Sequence, residues 1–200
     1  MKITRYHISK KILFTLIIIS CLMSFTKADD IREFEIESMS IGDSLLEHFE
    51  KKQIEKFVNY DDLPSDMQYR IAEIYNGQDL NMTKYDAMQF YYKPNDPNFI
   101  IQSLSGLIDC GNKNKCDKIF KSVVDDLSRI YGNGTKNTVV HPDDKTGKSV
   151  HTYYEFSLNS GSITATNRLW SDAVEYTSVV SVTLYLDKII SWIKSGWGVN

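Results

Sequence analysis

The sequence has little cysteine or proline and no long apolar run, and each shortage removes a class of protein. Three cysteines in 200 residues allow one disulfide at most, so a packed core rather than a lattice of cross-links must hold the fold. Four prolines and ten glycines exclude collagen-like and Pro/Gly low-complexity chains. No uninterrupted apolar stretch reaches the roughly 20 residues that a helix needs to cross a bilayer. No internal repeat long enough for a solenoid is visible. Acidic residues outnumber basic ones, 26 to 23. Five of the basic residues and none of the acidic ones lie in positions 1–28, so the rest of the chain carries a net charge of −8. A domain so acidic is a poor nucleic-acid binder.

What is present begins with Lys2, Arg5, Lys10 and Lys11, followed by an apolar run from Ile12 to Ile19, broken only by Thr15, that continues more weakly to Phe25. This is the n-region and h-region pattern of a secretion signal. Thr26-Lys27-Ala28 offers small residues where a signal peptidase reads, which predicts cleavage after Ala28 and a single mature domain over 29–200. Ile18-Ile19-Ser20-Cys21 also fits loosely the pattern before a lipidated cysteine. A lipid anchor at Cys21 is therefore the alternative to a free periplasmic or secreted protein. The two later cysteines, Cys110 and Cys116, flank a Gly/Asn turn, and an even pair in an exported chain predicts a local disulfide. No second Cys/His pair stands nearby to suggest a metal or redox centre.

Periodicity then gives a coarse order of elements. A short strand is expected at Phe34–Glu37, a helix over Ser40–Phe49 with Leu45, Leu46 and Phe49 on one face, and another through Ile54, Phe57 and Val58. Ser65 and Gln68 stand at the positions of a capping box, which predicts a third helix carrying Met67, Ile71, Ile74 and Tyr75 to a stop at Gly77. Alternation from Tyr85 to Tyr92, turn residues at Lys93–Asn98 and the apolar segment Phe99–Ile108 predict a hairpin. Ile119, Phe120, Val123, Val124, Leu127, Ile130 and Tyr131 form a helical stripe ended by Gly132. Asn133–Lys148 reads as a long polar loop. Val150–Phe156, Ile163–Leu169 and Glu175–Leu186 read as a three-strand meander, and Asp187–Trp197 as a short amphipathic helix. Helices and strands do not alternate regularly, so the predicted class is α+β: an antiparallel sheet, hairpin plus meander, packed against N-terminal and central helices.

Two resemblances bear on function. Ile41-Gly42-Asp43-Ser44-Leu45 resembles the Gly-Asp-Ser-Leu block of the esterase and lipase family named after it, which would make Ser44 the nucleophile. That chemistry also needs a base, an orienting carboxylate and oxyanion donors. Neither His141 nor His151 has the Asp three residues earlier that the family shows, and the family's parallel sheet disagrees with adjacent β runs. The plain reading is that Asp43 or Ser40 caps a helix. Second, Asp29-Asp-Ile-Arg-Glu-Phe-Glu-Ile-Glu-Ser-Met-Ser-Ile-Gly-Asp-Ser-Leu-Leu46, with Cys110 and Cys116, resembles small exported bacterial proteins that carry no assigned activity. This resemblance implies domain limits and a compartment but no catalytic residues.

His48, His141 and His151, with Asp143, Asp144 and Glu155, lack the tight spacing of a zinc helix or knuckle. His141–Asp144 is expected as a solvated turn and His151 as an exposed strand residue, so no metal or cofactor is assigned. Aromatic residues are too numerous for alternation to bury them all. Tyr91, Tyr153 and Trp170 are the candidates for a binding surface, with an unidentified protein or small molecule as partner. The expectation is a non-catalytic exported binding protein, with the Ser44 esterase as the alternative.

Overall fold

The computed structural model describes residues 30–57, 67–78, 80–141, 144–146 and 148–194. The signal segment, its cleavage point, Cys21, Ser65 and Trp197 all lie outside the described residues. Seven strands make one antiparallel sheet: β1 (Arg70–Tyr75), β2 (Ala87–Tyr92), β3 (Ser103–Asp109), β4 (Thr135–Val140), β5 (Val150–Leu158), β6 (Gly161–Leu169) and β7 (Val179–Leu186). Their spatial order is β1-β2-β3-β7-β6-β5-β4. Among the described residues there are three α-helices, α1 (Lys51–Lys56), α2 (Lys113–Tyr131) and α3 (Asp187–Lys194). The α+β class with an antiparallel sheet is therefore what the chain adopts.

Strand register sorts side chains onto two unlike faces, because successive residues of a strand point to opposite sides. One row reads Ala72, Phe90, Leu104, Leu184, Ile163 and Phe156 across six strands. These side chains are buried and belong to the main core, together with Ile31, Ile36, Leu45, Phe49, Ile54 and Phe57 from the N-terminal segment and Cys116, Phe120 and Leu127 from α2. The row on the reverse face reads Tyr91, Ser103, Tyr185, Ser162 and Ser157, and the next reads Gln89, Ser105, Thr183, Thr164 and Glu155. That hydroxyl-rich face meets α3, whose Ile189 and Trp192 pack with Met67, Tyr69 and Tyr91 in a second, smaller core. Gly106 sits in the apolar face because the ring of Tyr85 occupies its side-chain space: a Cβ there would lie 2.5 Å from the ring.

Four expectations are corrected. Ile71, Ile74 and Tyr75 lie in β1, not in a helix. In six residues an apolar i, i+3 spacing also fits a strand, and pairing with β2 decides between them. Thr135–Val140 is strand β4, not loop, and every residue of it is exposed. Over Ser40–Phe49 only Leu45–Glu47 is helical, as a 3-10 turn. The rest runs beside residues 99–101, with Gly42 N donating to Ile101 O, Ile101 N to Asp43 O and Leu45 N to Phe99 O, so a helix there would forfeit these bonds. Phe34–Glu37 joins no strand of the sheet. Ile36 and Met39 bridge a tight turn whose central residues, Glu37 and Ser38, have φ of 50° and 65°. The Glu37 carboxylate offsets that strain by accepting from the backbone N–H of Thr83 and Lys84.

Candidate functional site: a cleft at the start of α2

The disulfide joins the end of β3 to the first turn of α2, Cys110 to Cys116, with Cα atoms 5.1 Å apart. Between them Gly111 takes φ 66°, which glycine adopts without side-chain strain. Asn112 then caps the helix, its side chain accepting from Lys115 N at 3.0 Å. From this corner α2 crosses the apolar face. It packs chiefly on β6, with lesser contact to β7 and β5, and beside its start the inward side chains of β4, β5 and β6 become short or polar. A cavity of about 670 Å³ remains, lined among others by Asn112, Lys113, Asp117, Phe120, Thr152 and Asn167.

Asn167, on β6 opposite Thr152 of β5, forms the floor and is 3 % exposed. Its Nδ2 donates to Asp117 Oδ1 at 3.0 Å, while Asp117 Oδ2 accepts from Lys113 Nζ at 2.5 Å. Asn167 Oδ1 is buried without a hydrogen-bond partner, a condition that costs about 1–3 kcal/mol when nothing fills the vacancy. Turning the amide over would set Oδ1 against the Asp117 carboxylate, so the orphan atom is an acceptor. Phe120, Val150 and Leu169 supply apolar wall. The rim carries Lys113, Lys136 and Lys148, with Asp172 of opposite sign, all exposed. Lys136 Nζ lies 5.9 Å from the centre of the Tyr154 ring.

Beside the cleft, Trp170 anchors an aromatic group. Its ring centre is 4.5 Å from that of His141, 5.0 Å from His151 and 4.7 Å from Tyr176. His151 is thus half-buried rather than an exposed strand residue, and its Nε2 is buried without a partner. Burial, reinforced by the charges of Arg168 and His141, pushes its pKa down to about 4. Nor is Asp144 part of a solvated turn, for it is 5 % exposed. Its carboxylate accepts from the N–H and hydroxyl of both Thr146 and Ser149 and from the Ser171 hydroxyl. Those side-chain hydroxyls, Ser149 first, hold it well below the usual carboxylate range. The network ties the β4–β5 connection to the β6–β7 connection and so fixes the cleft's outer wall. Among the described residues no three His, Cys, Asp or Glu side chains gather as metal ligands.

The three aromatic candidates stand in different surroundings. Tyr91 lies against α3, its ring centre 6.2 Å from that of Trp192. Tyr153 lines a shallower cavity of about 240 Å³ on the hydroxyl face, with Glu155, Ser162 and Tyr185. Trp170 alone lines the cleft. Ser44 is remote from it in the fold: its hydroxyl donates to Asn98 O at 2.5 Å and accepts from Leu46 N at 3.2 Å, as the cap of the 3-10 turn. Neither partner is a histidine. Sequence reasoning missed Asn167, Asp117 and Lys113. The one signal for them was a polar Asn in an otherwise β-forming run, opposite a helix start.

The fold defines an α+β protein with a single antiparallel sheet and a polar cleft under the start of its longest described helix. No family model, no curated protein and no solved structure matches the chain.

Proposed function

We propose that this is an exported protein of the bacterial periplasm or cell envelope that binds a small polar ligand in the cleft under α2 and performs no chemistry on it. One observation carries the reading: the cavity is lined by Asn167, a buried side chain whose Nδ2 is fixed by Asp117 and whose Oδ1 has no hydrogen-bond partner. A buried polar atom without a partner is an unfavourable feature of a fold unless something supplies the partner. The cavity volume falls within the 300–1,000 Å³ typical of small-molecule sites. Export is supported by the pattern of residues 1–28 and by a cysteine pair close enough to bond, which persists in oxidising compartments.

The test is a thermal-stability screen of the mature chain, from Asp29 onward, against a panel of small metabolites, run in parallel on Thr152→Trp, which fills the cleft. Binders are expected to raise the melting temperature of the wild type and leave the variant unmoved. If no compound distinguishes the two proteins, the reading fails. Cell fractionation that finds the full-length chain in the cytosol with both thiols free would overturn the export half of it.

A further inference from the structure

We propose that strand β4 is a docking edge for a second copy of this chain: two β4 strands pair antiparallel about a twofold axis at Thr138 and join two sheets into one. The inference is independent of the ligand reading above. β4 ends the sheet, and among the described residues no strand pairs with its outer side. Every residue of it is exposed. It runs in unbroken register with β5, from Thr135 opposite Glu155 to Val140 opposite Val150, so no bulge twists it away from a partner. It contains no proline and a single charge, Lys136. Its end carries two adjacent exposed valines, Val139 at 48 % and Val140 at 54 %. The opposite edge of the sheet is treated differently: Glu73 N of β1 donates to Phe57 O, so the chain covers that edge itself.

The bonding groups on the open edge follow from the ladder. One step past the pair of Val140 with Val150, His141 N donates to Ser149 O at 2.9 Å. Opposed residues in an antiparallel ladder alternate between bonded and unbonded pairs. Thr135, Asn137 and Val139 therefore turn their N–H and C=O toward β5, while Lys136, Thr138 and Val140 turn theirs outward.

Self-complementarity decides the occupant. With Thr138 opposite the partner's Thr138, Lys136 of each copy meets the partner's Val140. All three outward residues of both strands then exchange N–H and C=O bonds. A slide of one residue sets outward groups against inward ones, and a slide of two leaves one outward residue of each copy past the end of the partner's strand. The side chains agree with the backbone. Lys136, Thr138 and Val140 share the face that carries the cleft. Threonine thus packs on threonine across the axis and the lysine stem lies along a valine, with no like charges opposed. On the reverse face Asn137 meets the partner's Val139. A strand of another protein could supply the backbone bonds, but nothing in β4 selects its side chains.

Sedimentation equilibrium of the mature chain over a wide range of concentrations, at an ionic strength that screens its acidic surface, should show a monomer–dimer equilibrium. Val140→Lys opposes the partner's Lys136 twice over by symmetry and should weaken the dimer about tenfold, whereas Val140→Glu makes two opposite-charge pairs there and should tighten it. Lys136→Glu added to Val140→Lys should restore the dimer. Thr138→Pro deletes an outward N–H that β4 does not use in pairing with β5, so it should keep the fold and lose the dimer. In unaltered protein, amide exchange followed by NMR should show the N–H groups of Lys136, Thr138 and Val140 gaining protection as concentration rises, while those of Asn137 and Val139 are protected throughout. A chain that stays monomeric at every concentration overturns the proposal, and so does a dimer in which those three amides keep exchanging. Protection of the three in a monomer would assign the edge to another segment of this chain and overturn it as well. Lysine and glutamate at position 140 that shift the association in the same direction would overturn the register on which it depends.

Discussion

The two ends of the apolar face differ in how completely they close. Under β1, β2 and β3 the N-terminal segment fills the space above inward side chains such as Ile74, Met88, Phe90, Tyr92 and Leu104. Phe49 stacks edge-on against Phe57 at 5.4 Å and against Phe90 at 6.1 Å between ring centres, and Phe90 is fully buried. The outer strand there has cover as well, since Glu73 N of β1 donates to Phe57 O. At the other end β4 faces inward with Lys136, Thr138 and Val140, β5 with Val150 and Thr152, and β6 with Asn167. These are short, polar or charged, so α2 cannot seat on them and the cleft remains. A protein that packs one end tightly and leaves the other unfilled has separated the part that supplies stability from the part available for binding.

The strongest way to break that comparison is to remove packing from the closed end. Phe90→Ala should destabilise the protein by about 3–5 kcal/mol, from lost burial and the cavity left behind, as read by urea denaturation. Ligand affinity measured on the folded fraction should not change. A loss of affinity at temperatures where the variant is still folded would show that the two ends are coupled. The disulfide lies between the ends and should affect both. Cys110→Ala/Cys116→Ala releases a short loop, at a cost of about 2 kcal/mol on the chain-entropy estimate. It also frees the Gly111–Asn112 corner that carries the first turn of α2, so affinity should fall too. Stability lost with affinity unchanged would place the corner outside the site.

The closed end and the open end were also unequally legible in the sequence. The hairpin of β2 and β3, the meander, α2 and α3 followed from hydrophobic pattern together with the turn and capping residues between them. The errors fell where local pattern and tertiary pairing disagree. Ser40–Phe49 has the spacing of an amphipathic helix, yet its backbone bonds with residues 99–101, a pairing that no local window contains. Strand β4 is exposed on both faces, so it has no apolar period to detect, and only its Thr and Val content hinted at a strand. The candidate site was mostly hidden for a related reason. Lys113 and Asp117 are an i,i+4 pair on α2, while Asn167 lies 50 residues further on in β6, so the meaning of the three arises only when α2 crosses β6. Trp170 was the one candidate that reached the cleft, chosen for its size and not for its neighbours.

The smallest expected effect sharpens the comparison within the open end, by separating the two faces of β5. His151 points to the hydroxyl face beside Arg168, while its neighbours Val150 and Thr152 line the cleft. Its pKa is about 4 in the fold against an ordinary value of 6.5. The unfolded chain therefore takes up this proton near pH 6.5 and the folded chain does not. Stability from the neutral ring is complete above the ordinary value, falls as the pH drops from about 6.5 toward 4 and changes no further below that. Partial exposure of the ring keeps the effect to roughly 1–2 kcal/mol. Denaturation measured at pH 7 and pH 5 isolates it, because the Asp30 and Asp144 carboxylates are held below their usual range and stay ionised across that interval. His151→Phe, which keeps a ring against Trp170, should flatten the slope. An NMR titration placing the imidazole near its ordinary value would remove the basis for the prediction. Since His151 and the cleft lie on opposite faces of one strand, ligand affinity should vary with pH much less than stability does. If the two follow the same curve, Trp170 carries the protonation state of the histidine across the sheet edge into the site.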